Sequence, residues 1–357
     1  MKKKIIALIL SLVLCLSAGI LPAMSANAAT PIDQLDQLKA VLEKKLTAAA
    51  EQAVVAPAAA ERVAAVKIGS PTATINAKKT QIDPDNKKVV PIIKSGRTMV
   101  PLRFSASAMG GTTKYISDKD FITVTLGEKI AKFKINSKTL QIVDKKGKVL
   151  KTITMDVAAT KVNGRVMVPL RAISEGLGCK VYYEKFPAGE IVVVSLTTLS
   201  AQEKTYYMAQ LLNMSNYTYI NKAKTASISL PGAWNKVEEE KEYTAFASML
   251  YPIDGVFMLQ EVSVSEAKEF VTLTKAELKA AFEEPGVTIV DFSNSAINGK
   301  KAIRFTMKMV EDGEVAYVDF CALHSGKVGI IATSLFFGDT KARAEFKTAV
   351  GTIKLLK

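Results

Sequence analysis

Gly96-Arg97-Thr98-Met99-Val100-Pro101-Leu102-Arg103 returns as Gly164-Arg165-Val166-Met167-Val168-Pro169-Leu170-Arg171, identical at seven of eight positions and displaced by 164 − 96 = 68 residues. Self-similarity of this density marks a packing unit written twice in one chain. The register persists downstream, where Gly110 matches Gly178 and Tyr115 matches Tyr183. Upstream, Ile75-Asn76 aligns with Ile135-Asn136 at an offset of 135 − 75 = 60, so the second copy is expected to have gained 68 − 60 = 8 residues. The place expected for them is around residues 145–154, where a hairpin loop tolerates added length.

Each part of the repeated phrase has a mechanical reading. Val162-Asn163-Gly164-Arg165 sets Asn-Gly between apolar-alternating runs, the strongest short hairpin signal, because both turn residues need positive φ. Lys94-Ser95-Gly96-Arg97 is the weaker form of the same turn. Met-Val continues as a short strand. Pro101 and Pro169 suit the first helical position, where a missing N–H costs nothing. Leu102, Ala106 and Met109 recur at helical spacing, as do Leu170, Ile173 and Leu177. Gly110 and Gly178 then stop the helices as left-handed caps. Strands are expected at 113–117 with 121–126, and at 180–183 with 190–195.

Arg97, Arg103, Arg165 and Arg171 admit two readings. A guanidinium fork grips carboxylates and phosphates through two N–H groups, so four repeated arginines could form an anion-binding set. Their recurrence beside structural Gly96, Gly164, Pro101, Pro169, Leu102 and Leu170 favours the other reading. In that reading each arginine pairs with an acidic residue or a carbonyl inside its own repeat.

The phrase Gly-Arg-x-Met-Val-Pro-Leu-Arg, followed by a short helix, a glycine and a strand carrying an aromatic, resembles the copper amine oxidase N-terminal-like stalk domain. That domain is common in exported proteins of Gram-positive spore-formers and their relatives. The resemblance spans roughly residues 64–197. It implies an α+β module that is not catalytic and serves as a spacer or adhesion unit fused to varied partners. The oxidase chemistry itself needs three histidine ligands for copper and a tyrosine in an Asn-Tyr-acid setting. This chain has one histidine, His324, and Asn216-Tyr217-Thr218 lacks the acid. One imidazole cannot build that copper site. No cofactor is expected.

The start of the chain carries an address. Met1-Lys2-Lys3-Lys4 is a basic n-region, an apolar run follows from Ile5 to Leu21, and Ala26-Asn27-Ala28 is the small-residue pattern that a signal peptidase needs. Cleavage is expected between Ala28 and Ala29, leaving 357 − 28 = 329 residues, enough for two or three domains. Losing three lysines takes the net charge from 14 to 14 − 3 = +11. A basic chain outside the cell favours anionic polymers, although dispersed lysines also serve simply as solubilising charge. Cys179 and Cys321 remain in separate expected domains and read as small buried hydrophobes rather than a disulfide framework.

The expected organisation is a signal peptide at 1–28, a helical leader and linker at 29–63, the duplicated stalk module at 64–197, a linker helix at 198–219 and an α+β domain at 220–357. Leu35, Leu38, Leu42, Leu46 and Ala49 form the leader stripe. Ser200-Ala201-Gln202-Glu203 is a capping-box pattern opening the linker helix, with Tyr206, Tyr207, Leu211 and Leu212 on its buried face. In the last domain strands are expected at 227–230, 246–250, 256–264, 287–292, 301–310, 314–324 and 327–334, helices at 274–284 and 340–350, and a final strand at 353–355. The opening phrase Ser227-Ile228-Ser229-Leu230-Pro231-Gly232-Ala233-Trp234 and a closing helix with Phe346 resemble the PsbP-like fold. That resemblance implies a sheet flanked by helices with a binding or assembly role.

Catalytic signatures are sparse. His324 lies at Leu323-His324-Ser325-Gly326 and reads as a solvent-exposed turn residue rather than a general base. Asp83-Pro84-Asp85-Asn86 reads as a turn, since it lacks the glycine and distal glutamate of a calcium loop. No P-loop, dinucleotide fingerprint, zinc spacing or HExxH motif occurs in the sequence. The fold class expected is α+β, with a duplicated strand-helix-strand module followed by an antiparallel sheet with flanking helices. The function expected is that of a secreted, non-enzymatic envelope protein. Its stalk would dock on anionic wall polymer or another envelope protein, with no specific nucleic acid and no membrane span after signal removal. A soluble carrier of small ligands through the last domain is the alternative; a hydrolase or oxidase ranks third.

Overall fold

Two turns with the same backbone stand at the centre of the repeated phrase. Ser95 and Gly96 have φ of 47° and 71°, and Asn163 and Gly164 have φ of 49° and 77°. Each joins two strands through a two-residue loop, as the sequence pattern predicts. The computed structural model describes residues 62–116, 121–239, 243–250, 255–282, 285–311 and 313–356. The expected signal peptide, the cleavage point at Ala28 and Ala29, and the leader stripe lie outside these residues. The chain divides into two compact units with the boundary between Ser215 and Asn216.

The first unit runs β1 (Val63–Lys67), β2 (Thr72–Ile75), β3 (Lys78–Gln81), β4 (Ile92–Lys94), β5 (Arg97–Pro101), α1 (Leu102–Ala108), β6 (Thr112–Ile116), β7 (Phe121–Leu126) and β8 (Lys129–Lys134). It continues with β9 (Thr139–Asp144), β10 (Val149–Thr154), β11 (Thr160–Val162), β12 (Arg165–Pro169), α2 (Leu170–Leu177), β13 (Lys180–Phe186), β14 (Gly189–Ser195) and α3 (Ala201–Leu212). One five-stranded sheet has the order β13-β14-β1-β2-β3 and the other β6-β7-β8-β9-β10, with neighbours antiparallel throughout. Each sheet therefore takes its terminal hairpin from one copy of the repeat and its other three strands from the other copy. A third sheet, β11-β12-β5-β4, joins the two Gly-Arg hairpins, and in it Val100 lies opposite Val168.

The repeated prolines end β5 and β12 and stand just ahead of the helices, one position earlier than the sequence reading placed them. Leu102 and Leu170, next in line, cross between copies. Leu102 packs into the core beneath β7–β9, and Leu170 into the core beneath β1 and β14. Burying each contributes about 1.5–3 kcal/mol. Gly178 has φ of 102°, and the Gly178 and Cys179 N–H groups bond Glu175 and Ser174 carbonyls at 3.0 and 2.9 Å. In the first copy Gly110 and Gly111 bond Ser107 and Ala106 at 3.0 and 2.8 Å. These left-handed caps close both helices.

The upstream register differs from the expected one. The turn at Ile135-Asn136-Ser137 matches Ile68-Gly69-Ser70, not Ile75-Asn76. Ser70 and Ser137 N–H groups bond the Lys67 and Lys134 carbonyls at 3.1 and 3.3 Å, and each serine hydroxyl accepts the N–H two residues on at 3.1 Å. Gly69 and Asn136 N–H groups bond Pro91 and Ala159 at 2.8 Å each. The second copy is longer in its β9–β10 hairpin and shorter in the link that follows, so an eight-residue net gain is not present. Ile-Asn recurs at both places because turns of different hairpins reuse the same residues.

Helix α3 begins with the predicted capping box. Ser200 Oγ accepts from Glu203 N–H at 3.2 Å and Glu203 Oε2 accepts from Ser200 N–H at 2.7 Å. Its buried Tyr207, Met208, Leu211 and Leu212 pack on β1, β2 and β14. The stretch 198–219 is thus divided: the helix belongs to the first unit, where its apolar face is covered, and the strand after it to the second.

The second unit contains β15 (Asn216–Ile220), β16 (Ala226–Pro231), β17 (Trp234–Glu239), β18 (Tyr243–Ser248), β19 (Gly255–Val262), α4 (Val264–Thr272) and α5 (Lys275–Ala281). It ends with β20 (Val287–Ile297), β21 (Lys300–Glu311), β22 (Glu314–His324), β23 (Gly329–Phe337), α6 (Lys341–Val350) and β24 (Lys354–Leu355). A seven-stranded antiparallel sheet runs β17-β18-β19-β23-β22-β21-β20. Phe270, Leu278 and Phe282 cover one face; Trp234, Phe346 and the small sheet β15-β16-β24 cover the other. The fold class is α+β with antiparallel sheets. Strands β15 and β17 and helix α4 were not anticipated. Helix α4 starts where Ser263 accepts from Glu266 N–H at 3.1 Å, a cap hidden in what read as the end of a strand.

Candidate functional site

The four repeated arginines separate into two kinds. Arg97 Nε donates to Asp156 at 2.5 Å, and Arg165 Nε donates to Asp83 at 2.5 Å. Both pairs join one copy of the repeat to the other, because each Gly-Arg hairpin lies against the sheet end supplied by the opposite copy. The acidic partners of these two therefore come from the opposite repeat rather than their own, while Arg97 Nη1 also donates to the Gly96 carbonyl of its own repeat at 3.3 Å. Arg171 does stay within its copy, 3.7 Å from Glu175 one helical turn on. Arg103 is exposed on α1. Asp83 and Asp156 were missed as partners; the signal available was the repeated apolar-Asp dipeptide, Ile82-Asp83 and Met155-Asp156.

Six residues of the repeated phrase converge on one groove of the first unit, of about 550 Å³: Gly96, Arg97, Thr98, Pro169, Leu170 and Arg171. Ile153, Val181 and Val192 give it an apolar lining. Along the rim, Arg97–Asp156 and Arg171–Glu175 are joined by Lys185–Glu190 at 3.1 Å, beside Tyr183. These pairs are largely exposed, and such pairs contribute about 0–1 kcal/mol each. Lys185 and Tyr183 hold the Glu190 carboxyl below its ordinary value. Partial burial, then the bond to Glu190, pushes the Tyr183 phenol up. These shifts keep Glu190 and Lys185 charged and Tyr183 neutral at neutral pH, so the groove offers fixed charges and an apolar surface. That arrangement suits binding and orientation more than proton transfer.

In the second unit the main polar cluster is buried. Arg343 meets Asp319 through two bonds of 2.7 and 2.9 Å and Asp339 through one of 2.6 Å, and Thr306 Oγ1 donates to Asp319 at 2.6 Å. Arg343 also stacks 3.9 Å from the centre of the Tyr317 ring. A cavity of about 270 Å³ adjoins this cluster, lined by Arg304, Cys321 and Lys347 among others. Burial pushes the Cys321 thiol up to about 12, which leaves it protonated and unreactive at neutral pH. Cys179 is likewise buried and free.

His324 ends β22 and is half-buried, with Nδ1 3.0 Å from the Ser325 carbonyl oxygen. It is therefore more enclosed than the exposed turn residue expected. Asp83 Oδ1 accepts the Asp85 and Asn86 N–H groups at 3.1 Å each, a turn as read from the sequence. Among the described residues no group of three or more His, Cys, Asp or Glu could hold a metal ion. No helix of the described residues is long and apolar enough to cross a membrane.

Fold and groove together define a two-unit α+β protein whose first unit is organised by a repeated Gly-Arg-x-Met-Val-Pro-Leu-Arg phrase. Residues 84–186 match the copper amine oxidase N-terminal domain, a non-catalytic, stalk-like domain. Among curated proteins no sequence matches this chain. Solved structures that align with part of this chain include a protein of Bacteroides thetaiotaomicron VPI-5482, at 18% identity over 39% of this chain and 48% of that one, with a TM-score of 0.28. This chain thus matches about half the length of that protein. The Saccharomyces cerevisiae Ran-binding protein Mog1p aligns at 7% identity over 40% of this chain and 96% of its own, with a TM-score of 0.30. The cyanobacterial PsbP (CyanoP) of Synechocystis sp. PCC 6803 aligns at 10% identity over 40% and 92%, with a TM-score of 0.29.

Proposed function

We propose that this chain is a non-catalytic protein of the cell envelope in which the duplicated first unit is a stalk that presents the second unit outside the membrane. The observation that carries this reading is the exchange of strands and ion pairs between repeat copies, with Val100 against Val168 at its centre. A unit knitted in this way cannot open one copy without opening the other, which suits a stiff spacer. The export pattern ending at Ala28, and the basic balance of 48 Lys and Arg against 34 Asp and Glu, support a secreted protein that associates with anionic wall polymer or another envelope protein. The host is then a Gram-positive cell. Fractionation of that host into wall, membrane and medium, followed by a salt wash, tests the reading. Recovery in the wall fraction with release by salt is expected; recovery only in the medium, with no sedimentation on purified walls at low salt, overturns wall docking.

A second reading is that the second unit carries a small ligand, favoured by the 270 Å³ cavity beside Arg304 and Lys347. Native mass spectrometry of the purified protein separates the two. A bound mass lost on denaturation supports the carrier, and a bare protein mass supports the stalk alone.

A further inference from the structure

The two cross-repeat ion pairs are equivalent in sequence and geometry but not in exposure. Asp83 and Asp156 are matching residues, and so are the buried valines that follow, Val89 and Val157. Between Asp83 and Val89 stand five residues, Pro84-Asp85-Asn86-Lys87-Lys88, where Asp156 and Val157 are adjacent. The inserted segment folds over the Asp83–Arg165 pair. Asp85 brings a second carboxylate to within 4.0 Å of the Arg165 guanidinium. Asn86 Nδ2 donates to the Asn163 carbonyl at 3.2 Å, and Asn163 Nδ2 donates to the Lys88 carbonyl at 2.8 Å. The side chains of Arg165 and Asp83 are left 33% and 10% exposed, against 53% and 63% for Arg97 and Asp156.

Arg165 thus faces two carboxylates and a covering turn of backbone, while Arg97 faces one carboxylate and an open groove of about 550 Å³. Ser95, with φ of 47°, stands in the Gly-Arg turn where Asn163 does. We propose that the groove is a docking site for a peptide turn of a partner protein that presents an aspartate, seated as residues 84–88 are seated on the other repeat. The aspartate pairs with Arg97 beside Asp156, as Asp85 shares Arg165 with Asp83. The turn's backbone lies along Ser95 and Gly96, and a flanking apolar side chain covers Ile153 and Val181. The apolar lining separates this occupant from a polyphosphate chain, which would bring anions and no apolar contact. The inference does not depend on the stalk reading, since it follows from unequal cover over two equivalent ion pairs.

The test is titration of the full chain, isotopically labelled, with the free peptide Ile-Asp-Pro-Asp-Asn-Lys-Lys-Val-Val, followed by NMR shifts of backbone amides. Saturable shifts confined to Ser95, Arg97, Ile153 and Tyr183 are expected. The same peptide with its second Asp replaced by Asn, or the Arg97→Gln protein, is expected to bind about tenfold more weakly. Ile93→Ser, at an exposed rim position, provides a second variant whose folding is not in question, and it too is expected to weaken binding. No shifts at these residues, or equal binding by the Asn peptide, overturns the proposal. Shifts there caused by glycerol phosphate polymer but not by the peptide also overturn it, in favour of a polymer site.

Discussion

Val100 and Val168, the same position in two copies of one phrase, lie directly opposite each other on adjacent antiparallel strands, and neither is exposed to solvent. The pairing makes the two copies one folding unit. Val168→Ala is expected to cost about 2 kcal/mol through lost burial and a residual cavity. Because the two residues are paired directly across adjacent strands, the double Val100→Ala, Val168→Ala protein should depart from additivity by about 0.5 kcal/mol or more. Urea unfolding of the two single variants and the double variant measures this.

Arg165 holds the Asp83 carboxyl below the usual carboxylate range. Folding therefore disfavours the protonated form, and the stabilisation is complete above about pH 5, where the unfolded carboxyl is ionised as well. It is lost as pH falls through the lower folded value. Thermal melts of Asp83→Asn should show a lower Tm near neutrality and a flatter decline between about pH 4 and pH 2. Parallel declines in both proteins would refute a role for the pair.

Asp319 and Arg343 are 5% and 6% exposed and satisfy each other with two bonds. Removing Asp319 leaves the buried Arg343 guanidinium with the single, exposed Asp339 carboxylate as its acidic partner, so Asp319→Ala is expected to cost about 3 kcal/mol, the lower end for a broken buried pair. Helix α6 is tied to strand β22 by this pair, and its amides should lose hydrogen-exchange protection first. The expected site of damage is the second unit, with hydrogen exchange at Val100 and Val168 unchanged.

A Cβ at Gly329 would sit 2.6 Å from the Ser263 carbonyl oxygen and 2.7 Å from the Ala267 Cβ. Both are parts of the start of α4, and neither is a flexible tip. Gly329→Val is expected to lift α4 from the sheet, costing more than about 2 kcal/mol. Hydrogen exchange across Ala267 and Phe270 would report it.

Much of the local structure was legible. Asn163-Gly164 specified its turn because only residues tolerant of positive φ fit there, and Ser200 with Glu203 specified a helix start through two reciprocal bonds. Helix α4 was hidden because Val256 to Val264 reads as one apolar strand, and periodicity does not show where a strand bends into a helix. The groove was half legible. Gly96, Arg97, Pro169, Leu170 and Arg171 were singled out as a repeated phrase, but nothing in their spacing showed that residues from both copies face one space.

By itself the sequence determined the repeat, its turns, its helix caps and its apolar stripes, since each rests on backbone preference and periodicity over a few residues. Only the tertiary structure decided that the copies exchange hairpins, that Arg97 and Arg165 pair across the repeat, and that one pair is covered while the other faces a groove. Those are relations between residues 59 and 82 positions apart. They are fixed by which sheet edge each hairpin finds when the two copies bury their cores together.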